Sequence, residues 1–324
     1  MRIDPAIVAL RSERASQRRC AKAMEQARVR WLADEEVGGV IRDLAAFGAG
    51  EDLERLASLE RIVTRHASAQ RFLAAWVSEF ISALKSENLA QIPFRHSYAR
   101  GFATLQLAQF GRATLSLVAY EATRNKRDPQ SAVFVDREQH EIVVSGGVTG
   151  LFCHLNGAGV SDRVECERLV LGVGDTVVCR DYFASRQVSE VGSHLVMLQL
   201  TRASSNPRPT REIALEDGRL LRQACGSKRT SQREMALAVL GAMDRKDAAA
   251  AMRAIATDTG EPDHLRWEAQ RQLLGIETAL GIQSLGEIAQ READPLTVPA
   301  SRLHEQLLAR HPELARVEVD ACPA

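Results

Sequence analysis

The sequence predicts an α+β chain in which a central antiparallel β region lies between two helical segments. Three observations predict it. Apolar residues recur at helical spacing from Leu53 to Leu84. Between Gly101 and Arg202 the pattern changes to short apolar or alternating runs separated by Gly, Asp and Asn. Beyond Ala203-Ser-Ser-Asn-Pro-Arg-Pro-Thr210, a linker by composition, helical spacing returns. The predicted boundaries are 1–91, 92–203 and 204–324. At roughly 150 residues per domain the length alone gives about two domains, in a chain long enough to bury a sizeable core.

The N-terminal segment opens with Asp4-Pro5, a capping residue followed by a proline at the first helical position. A charged helix then runs to about Trp31. Its basic residues (Arg2, Arg11, Arg14, Arg18, Arg19, Lys22, Arg28, Arg30) outnumber Asp4, Glu13 and Glu25. No aromatic interleaves them as a base-stacking surface requires, so a solvated helix is expected, offset by the acidic stretch from Asp34 to Glu60. Trp76 and Phe80 are four apart and predicted to share one buried helical face.

Ile92-Pro93-Phe94 breaks the helical pattern. Strands are predicted near 102–110, 112–121, 132–136, 140–145, 148–155, 164–171, 175–180, 186–191 and 194–202. Turns are expected at Gly111, Gly146-Gly147, Asn156-Gly157 and Gly172-Val-Gly174-Asp175. Strands this short and frequent indicate an antiparallel sandwich or barrel. After the linker, helices are predicted near 231–243, 247–257, 262–274, 276–290 and 299–310, with Ser231-Gln-Arg-Glu234 as a capping box. They resemble HEAT-type hairpins. Two hairpins fall short of the roughly three repeats a freestanding solenoid needs, so these helices are expected to pack on the β region or the N-terminal helices.

Composition excludes several classes. Lys+Arg and Asp+Glu both number 42, so no net field favours a nucleic acid or an anionic membrane. No apolar run is long enough for a membrane helix, and the N-terminus lacks the apolar core of a signal peptide. Cys20, Cys153, Cys166, Cys179, Cys225 and Cys322 form no Cys-x-x-Cys pair. Free thiols in a cytoplasm-like compartment are the expectation. Phosphate-loop, Gly-x-Ser-x-Gly and His-Glu-x-x-His motifs are absent. His264 and Glu268 share a helical face, as a ligand pair or as a capping or interface contact.

The second half of the β region carries a family resemblance. Gly172-Val-Gly174-Asp175-Thr-Val-Val-Cys179, then Arg186-Gln-Val-Ser-Glu-Val-Gly-Ser-His194-Leu-Val-Met-Leu-Gln-Leu200, resembles the second motif of the cupin superfamily of small jelly-roll barrels. Glu141-Ile-Val-Val-Ser-Gly-Gly147 resembles the strand and glycine turn that end the first cupin motif. The resemblance covers residues 92–203 and implies a central jelly-roll barrel. It would imply a metal held by His-x-His and Glu on the first motif and His on the second. Ala132-Val-Phe-Val-Asp136-Arg-Glu-Gln-His140 offers no His-x-His, and the second-motif His falls near Ser185 or Arg186. No metal ligand and no cofactor is therefore expected.

The candidate ligand-binding residues are Arg186, Arg180, His140, His194 and His154. Arg186 falls near the mouth of the implied barrel, where a guanidinium fork suits a carboxylate or phosphate; an intramolecular ion pair is the plain alternative. His140 or His194 beside Asp181 or Glu141 would suit acid/base work. Neighbours on a strand face opposite ways, so Cys153 and His154 are not expected to share the pocket. The expected function is a metal-free degenerate cupin that binds a small, anionic ligand or regulates through one. A cupin-type enzyme (a metal-free isomerase or lyase, or an oxygenase with a rebuilt metal site) and a structural scaffold are the alternatives. A homo-oligomer, and a protein partner through the helical segments, complete the expected partners, with no nucleic acid and no membrane.

Overall fold

Helix α1 (Pro5–Ser12) starts on proline and is followed by α2 (Arg14–Ala33). The structure, a computed structural model, describes residues 5–122, 128–156 and 163–314; Asp4, Gly157 and Cys322 lie outside it. Helix α3 (Glu35–Ala49) is capped by Asp34, whose carboxylate accepts from the Val37 amide at 3.0 Å. Helices α4 (Ala57–Thr64) and α5 (His66–Ser86) complete the first helical segment. Trp31, Phe47, Phe72 and Phe80 are buried in its core. Trp76 and Phe80 share the buried face as predicted, with rings 5.3 Å apart, and Phe94 packs edge-on to both. The basic residues of α2 lie in solvent, where Arg28 pairs with Glu25 and Arg30 with Glu79.

Among the described residues ten strands follow: β1 (Arg95–Ala99), β2 (Phe102–Phe110), β3 (Ala113–Glu121), β4 (Ser131–Phe134), β5 (Arg137–Asn156), β6 (Arg163–Leu171), β7 (Thr176–Cys179), β8 (Ala184–Ala203), β9 (Thr210–Ala214) and β10 (Leu220–Ala224). One sheet has the order β1-β2-β3-β8-β5-β6, with β7 also paired to β5; a second has the order β10-β9-β4. All pairings are antiparallel.

Two corrections concern the long strands. The sequence predicts a turn at Gly146-Gly147 between separate strands, yet β5 and β8 each run 20 residues without interruption. The glycines bend β5 instead of ending it. Gly146 has φ +80°, and a Cβ there would lie 1.9 Å from the His194 carbonyl oxygen, so a side chain would separate β5 from β8. Pairing with β8 slips on both sides of Gly146 and continues. The first half of β5 pairs β7 and the later half of β8; its second half pairs β6 and the earlier half of β8. The second correction is that, among the described residues, the sheets do not close into a barrel.

Side-chain alternation gives this stretch of sheet two different faces. Leu115, Ile142, Leu198 and Leu200 pack into the helical core, while the residues between them face away from it. Glu138 and His140 also lie on the helical side. There Arg202 binds the Glu138 carboxylate at 2.6 Å and donates to the carbonyls of Phe47 and Glu51.

Residues after 203, predicted to open a helical segment, first add β9 and β10. The chain divides into two compact units, 1–224 and 225–324. In the second unit α6 (Lys228–Ala242), α7 (Ala249–Thr257), α8 (Asp263–Ile276), α9 (Thr278–Ala289) and α10 (Thr297–Arg310) surround their own core, including Leu237, Met252, Leu265, Leu273 and Leu285. Helix α6 begins ahead of the expected capping box: Ser227 caps it, accepting from the Thr230 amide at 3.2 Å.

Cys153 and Cys166 stand directly opposite on β5 and β6 and form a disulfide. This corrects the expectation of free thiols at both positions; Cys20, Cys179 and Cys225 are free. No helix among the described residues is long and apolar enough to cross a membrane.

Candidate functional site

Alternation along β5 places Arg137, Gln139 and Glu141 on the sheet face turned away from the helices. Gln199 comes alongside from β8 and Cys179 from β7. Over this face lies a cavity of about 620 Å³ whose lining includes Tyr120, Arg137, Gln139, Ser185, Arg186 and Gln199. The volume is of the size that takes a small-molecule ligand.

The back of the cavity is a buried ion pair. Arg186 donates from Nε to Glu141 Oε2 at 2.6 Å and from Nη2 to Oε1 at 2.9 Å. The Arg186 side chain is 6% exposed and that of Glu141 0%. Gln199 Nε2 adds a donor to Glu141 Oε1 at 2.7 Å. Burial pushes the Glu141 carboxyl upward; the Arg186 charge and the bonds from Arg186, Gln199 and Gln139 outweigh it and hold the group below the usual carboxylate range. Arg186 is correspondingly held as a cation: Glu141, with a smaller contribution from the Tyr120 side chain, outweighs the cost of burying it. Its third nitrogen, Nη1, is buried and has no hydrogen-bond partner among the described residues, and an unpaired buried donor is costly.

Arg137 adds a second cation with no carboxylate of its own. It makes no ion pair among the described residues, and desolvation lowers its pKa, against which Glu141 acts only at a distance. Two guanidinium groups and one carboxylate leave the cavity with a formal charge of about +1 at neutral pH. Cys179 is a neutral thiol there, because burial and Glu141 push it up to about 11.

Of the five predicted ligand residues, only Arg186 lines the cavity. Arg180 is exposed outside it. His140 is buried on the helical side, 2.8 Å from Glu138. It therefore partners neither Glu141 nor Asp181. His194 is exposed and bonds Ser145 Oγ at 2.8 Å. His154 is exposed against Phe152, whereas Cys153 is buried, as strand alternation requires. Arg137, Gln139, Gln199 and Ser185 also line the cavity and are not singled out by the sequence. Their signal is weak: Arg137-Glu-Gln-His-Glu141 is polar at every position, so alternation alone cannot choose the inward face.

A metal of the kind the cupin resemblance implies does not fit this cavity. Among the described residues no histidine lines it, and its one buried carboxylate is engaged by a guanidinium. A dication would sit beside two positive groups. The lining is instead rich in donors, which suits an anion.

No protein-family model and no curated protein matches the chain. Solved structures of cupin type overlap part of it. A 7S globulin of Momordica charantia aligns at 14% identity and TM-score 0.27 over 37% of this chain, which spans 35% of the globulin. A DMSP lyase structure aligns at 20% identity and TM-score 0.26, over 41% of this chain and 69% of the other. An RmlC-like cupin from Shewanella frigidimarina aligns at 14% identity and TM-score 0.23, over 35% and 86%.

Proposed function

We propose that the first unit is a ligand-binding module of cupin-like build that holds a small anion by arginines instead of by a metal. The observation that carries this reading is the cationic cavity: among the described residues Arg137 has no ion pair and Arg186 Nη1 no acceptor, beside neutral Gln and Ser donors. A carboxylate or phosphate would satisfy both arginines. Glu141 has a positioning role. It holds Arg186 by two hydrogen bonds, leaving the third nitrogen for a ligand.

An acid/base enzyme of the His–carboxylate type receives less support, because His140 and its carboxylate lie on the opposite face of the sheet. The test is calorimetric titration of the full chain with phosphate, a sugar phosphate and short dicarboxylates, with neutral analogues as controls. Saturable binding of at least one anion, weakening as ionic strength rises, is expected. Equal binding of an anion and its neutral analogue, or no binding across the panel, would overturn the proposal.

A further inference from the structure

We propose that Cys225, Glu234 and His264 form a binding site for a zinc-class divalent cation in the second unit. Cys225 lies just ahead of the Ser227 cap of α6, Glu234 is on α6, and His264 is in the first turn of α8. Their donor atoms all lie within 4.8 Å of one another. The sequence pairs His264 with Glu268, four residues on. In the structure Glu268 instead accepts from Arg271 at 2.7 Å and Gln272 at 2.8 Å, and His264 turns to the other two residues.

The distances suit a shared ion. Cys225 Sγ is 3.3 Å from His264 Nε2, and Glu234 Oε1 is 3.6 Å from the same nitrogen. Zinc bonds of about 2.3 Å to sulfur and about 2.0–2.1 Å to nitrogen and oxygen, at tetrahedral angles, give S···N near about 3.6 Å and N···O near about 3.4 Å. Each observed separation is within a few tenths of an ångström of its expected edge.

Convergence on one nitrogen also separates this arrangement from a nucleophilic triad. In a triad the nucleophile and the carboxylate engage opposite ring nitrogens, so that one takes a proton while the other is oriented. Here both face Nε2, as two ligands flanking a common ion would. A thiolate, an imidazole and a carboxylate together select zinc or a neighbouring transition metal over magnesium or calcium. Three protein ligands leave a fourth position for water or an incoming ligand. The site is reachable: the side chains of His264 and Glu234 are 43% and 27% exposed.

On binding, the Cys225 S–H bond breaks, its proton passes to solvent, and the thiolate and the Nε2 lone pair form bonds to the ion. No oxidant or reductant is involved. The bound ion would tie the chain ahead of α6 to both α6 and α8.

The test uses the reduced full chain and cobalt(II) as a spectroscopic probe, followed by displacement with zinc. One equivalent of cobalt with a thiolate charge-transfer band, bleached by zinc, is expected. Cys225→Ser should abolish the band, and His264→Gln and Glu234→Gln should each weaken zinc binding by at least about tenfold. Glu268→Gln, which alters a neighbour outside the trio, should leave both readouts unchanged. Circular dichroism of each variant checks that the helices remain. The proposal is overturned by absence of the band, by a band that survives Cys225→Ser, or by zinc affinity unchanged in either of the other two ligand variants.

Discussion

Replacing Arg137 by methionine should raise stability and lower anion affinity together. Most core substitutions destabilise, but Arg137 is a part-buried cation with no ion-pair partner among the described residues, and desolvation already depresses its pKa. Methionine keeps much of the side-chain length and removes the charge. Replacing buried ionic groups by apolar side chains of similar volume gains up to roughly 1–4 kcal/mol; Arg137 is only part-buried, so we expect about 1 kcal/mol. For a unit of this size that is a rise in Tm of about 2–4 °C. The anion response should move the other way. At a tenfold excess over Kd an anion stabilises the wild type by about 1.4 kcal/mol, or about 3–6 °C. Losing a charge-assisted hydrogen bond costs about 1.5–3 kcal/mol, weakening affinity roughly 10- to 150-fold. At the same anion concentration the variant should therefore shift by less than about 1–2 °C. Differential scanning calorimetry with and without the anion reads both effects. A variant that melts below wild type and keeps the full anion shift would refute the reasoning, because Arg137 would then be a packing residue.

Three further outcomes follow from the same geometry. Glu141→Gln leaves Arg186 buried without its counter-ion and should cost about 3–5 kcal/mol. The folded pKa of Glu141 is depressed, so its contribution is complete above the unfolded value of about 4.3 and fades as pH falls through the folded value; melting curves from neutral pH to pH 3 should show a shallower acid decline in the variant, and parallel curves would count against the pair. Gly150→Ala puts a Cβ 2.0 Å from the Gln187 carbonyl oxygen, whereas Gly192→Ala meets nothing within 4 Å; denaturant titration should find the first destabilised by more than about 2 kcal/mol and the second within about 0.5 kcal/mol of wild type, and equal losses would contradict the observed β5–β8 spacing. The Cys153–Cys166 bond closes a loop with a sequence separation of 13, so Cys153→Ser should cost about 3 kcal/mol; a Tm insensitive to both reductant and this substitution would show that the bond does not form in solution.

Much of the secondary structure was legible because it depends on local period. The 53–84 helical spacing, the alternating runs after Gly101 and the helices after Ser227 all stand near where the pattern puts them. Two local signals misled. Gly146-Gly147 reads as a turn in any one-dimensional scan, and only the proximity of the His194 carbonyl shows that the glycine keeps two strands together. Ser231-Gln-Arg-Glu234 has the composition of a capping box, but Ser227 supplies the cap one turn earlier. The site was less legible still. Arg186 lines the cavity and His140 lies on the other face of the sheet, while nothing in the sequence singles out Arg137, since a strand polar at every position does not reveal which face is inward.

The sequence by itself determined the α+β order, the lack of a histidine pair at the first cupin-like motif, and the absence of any large net charge, because these depend on residue identity and local spacing. Tertiary structure decided the rest. It bent β5 about Gly146, left the sheets unclosed, joined Cys153 to Cys166, and set Arg137 beside the Arg186–Glu141 pair. It also brought Cys225, Glu234 and His264 together across as many as 39 residues of sequence. Charge and metal affinity depend on distances of a few ångströms between donor atoms, and strand pairing and helix packing set those distances between residues far apart in the chain.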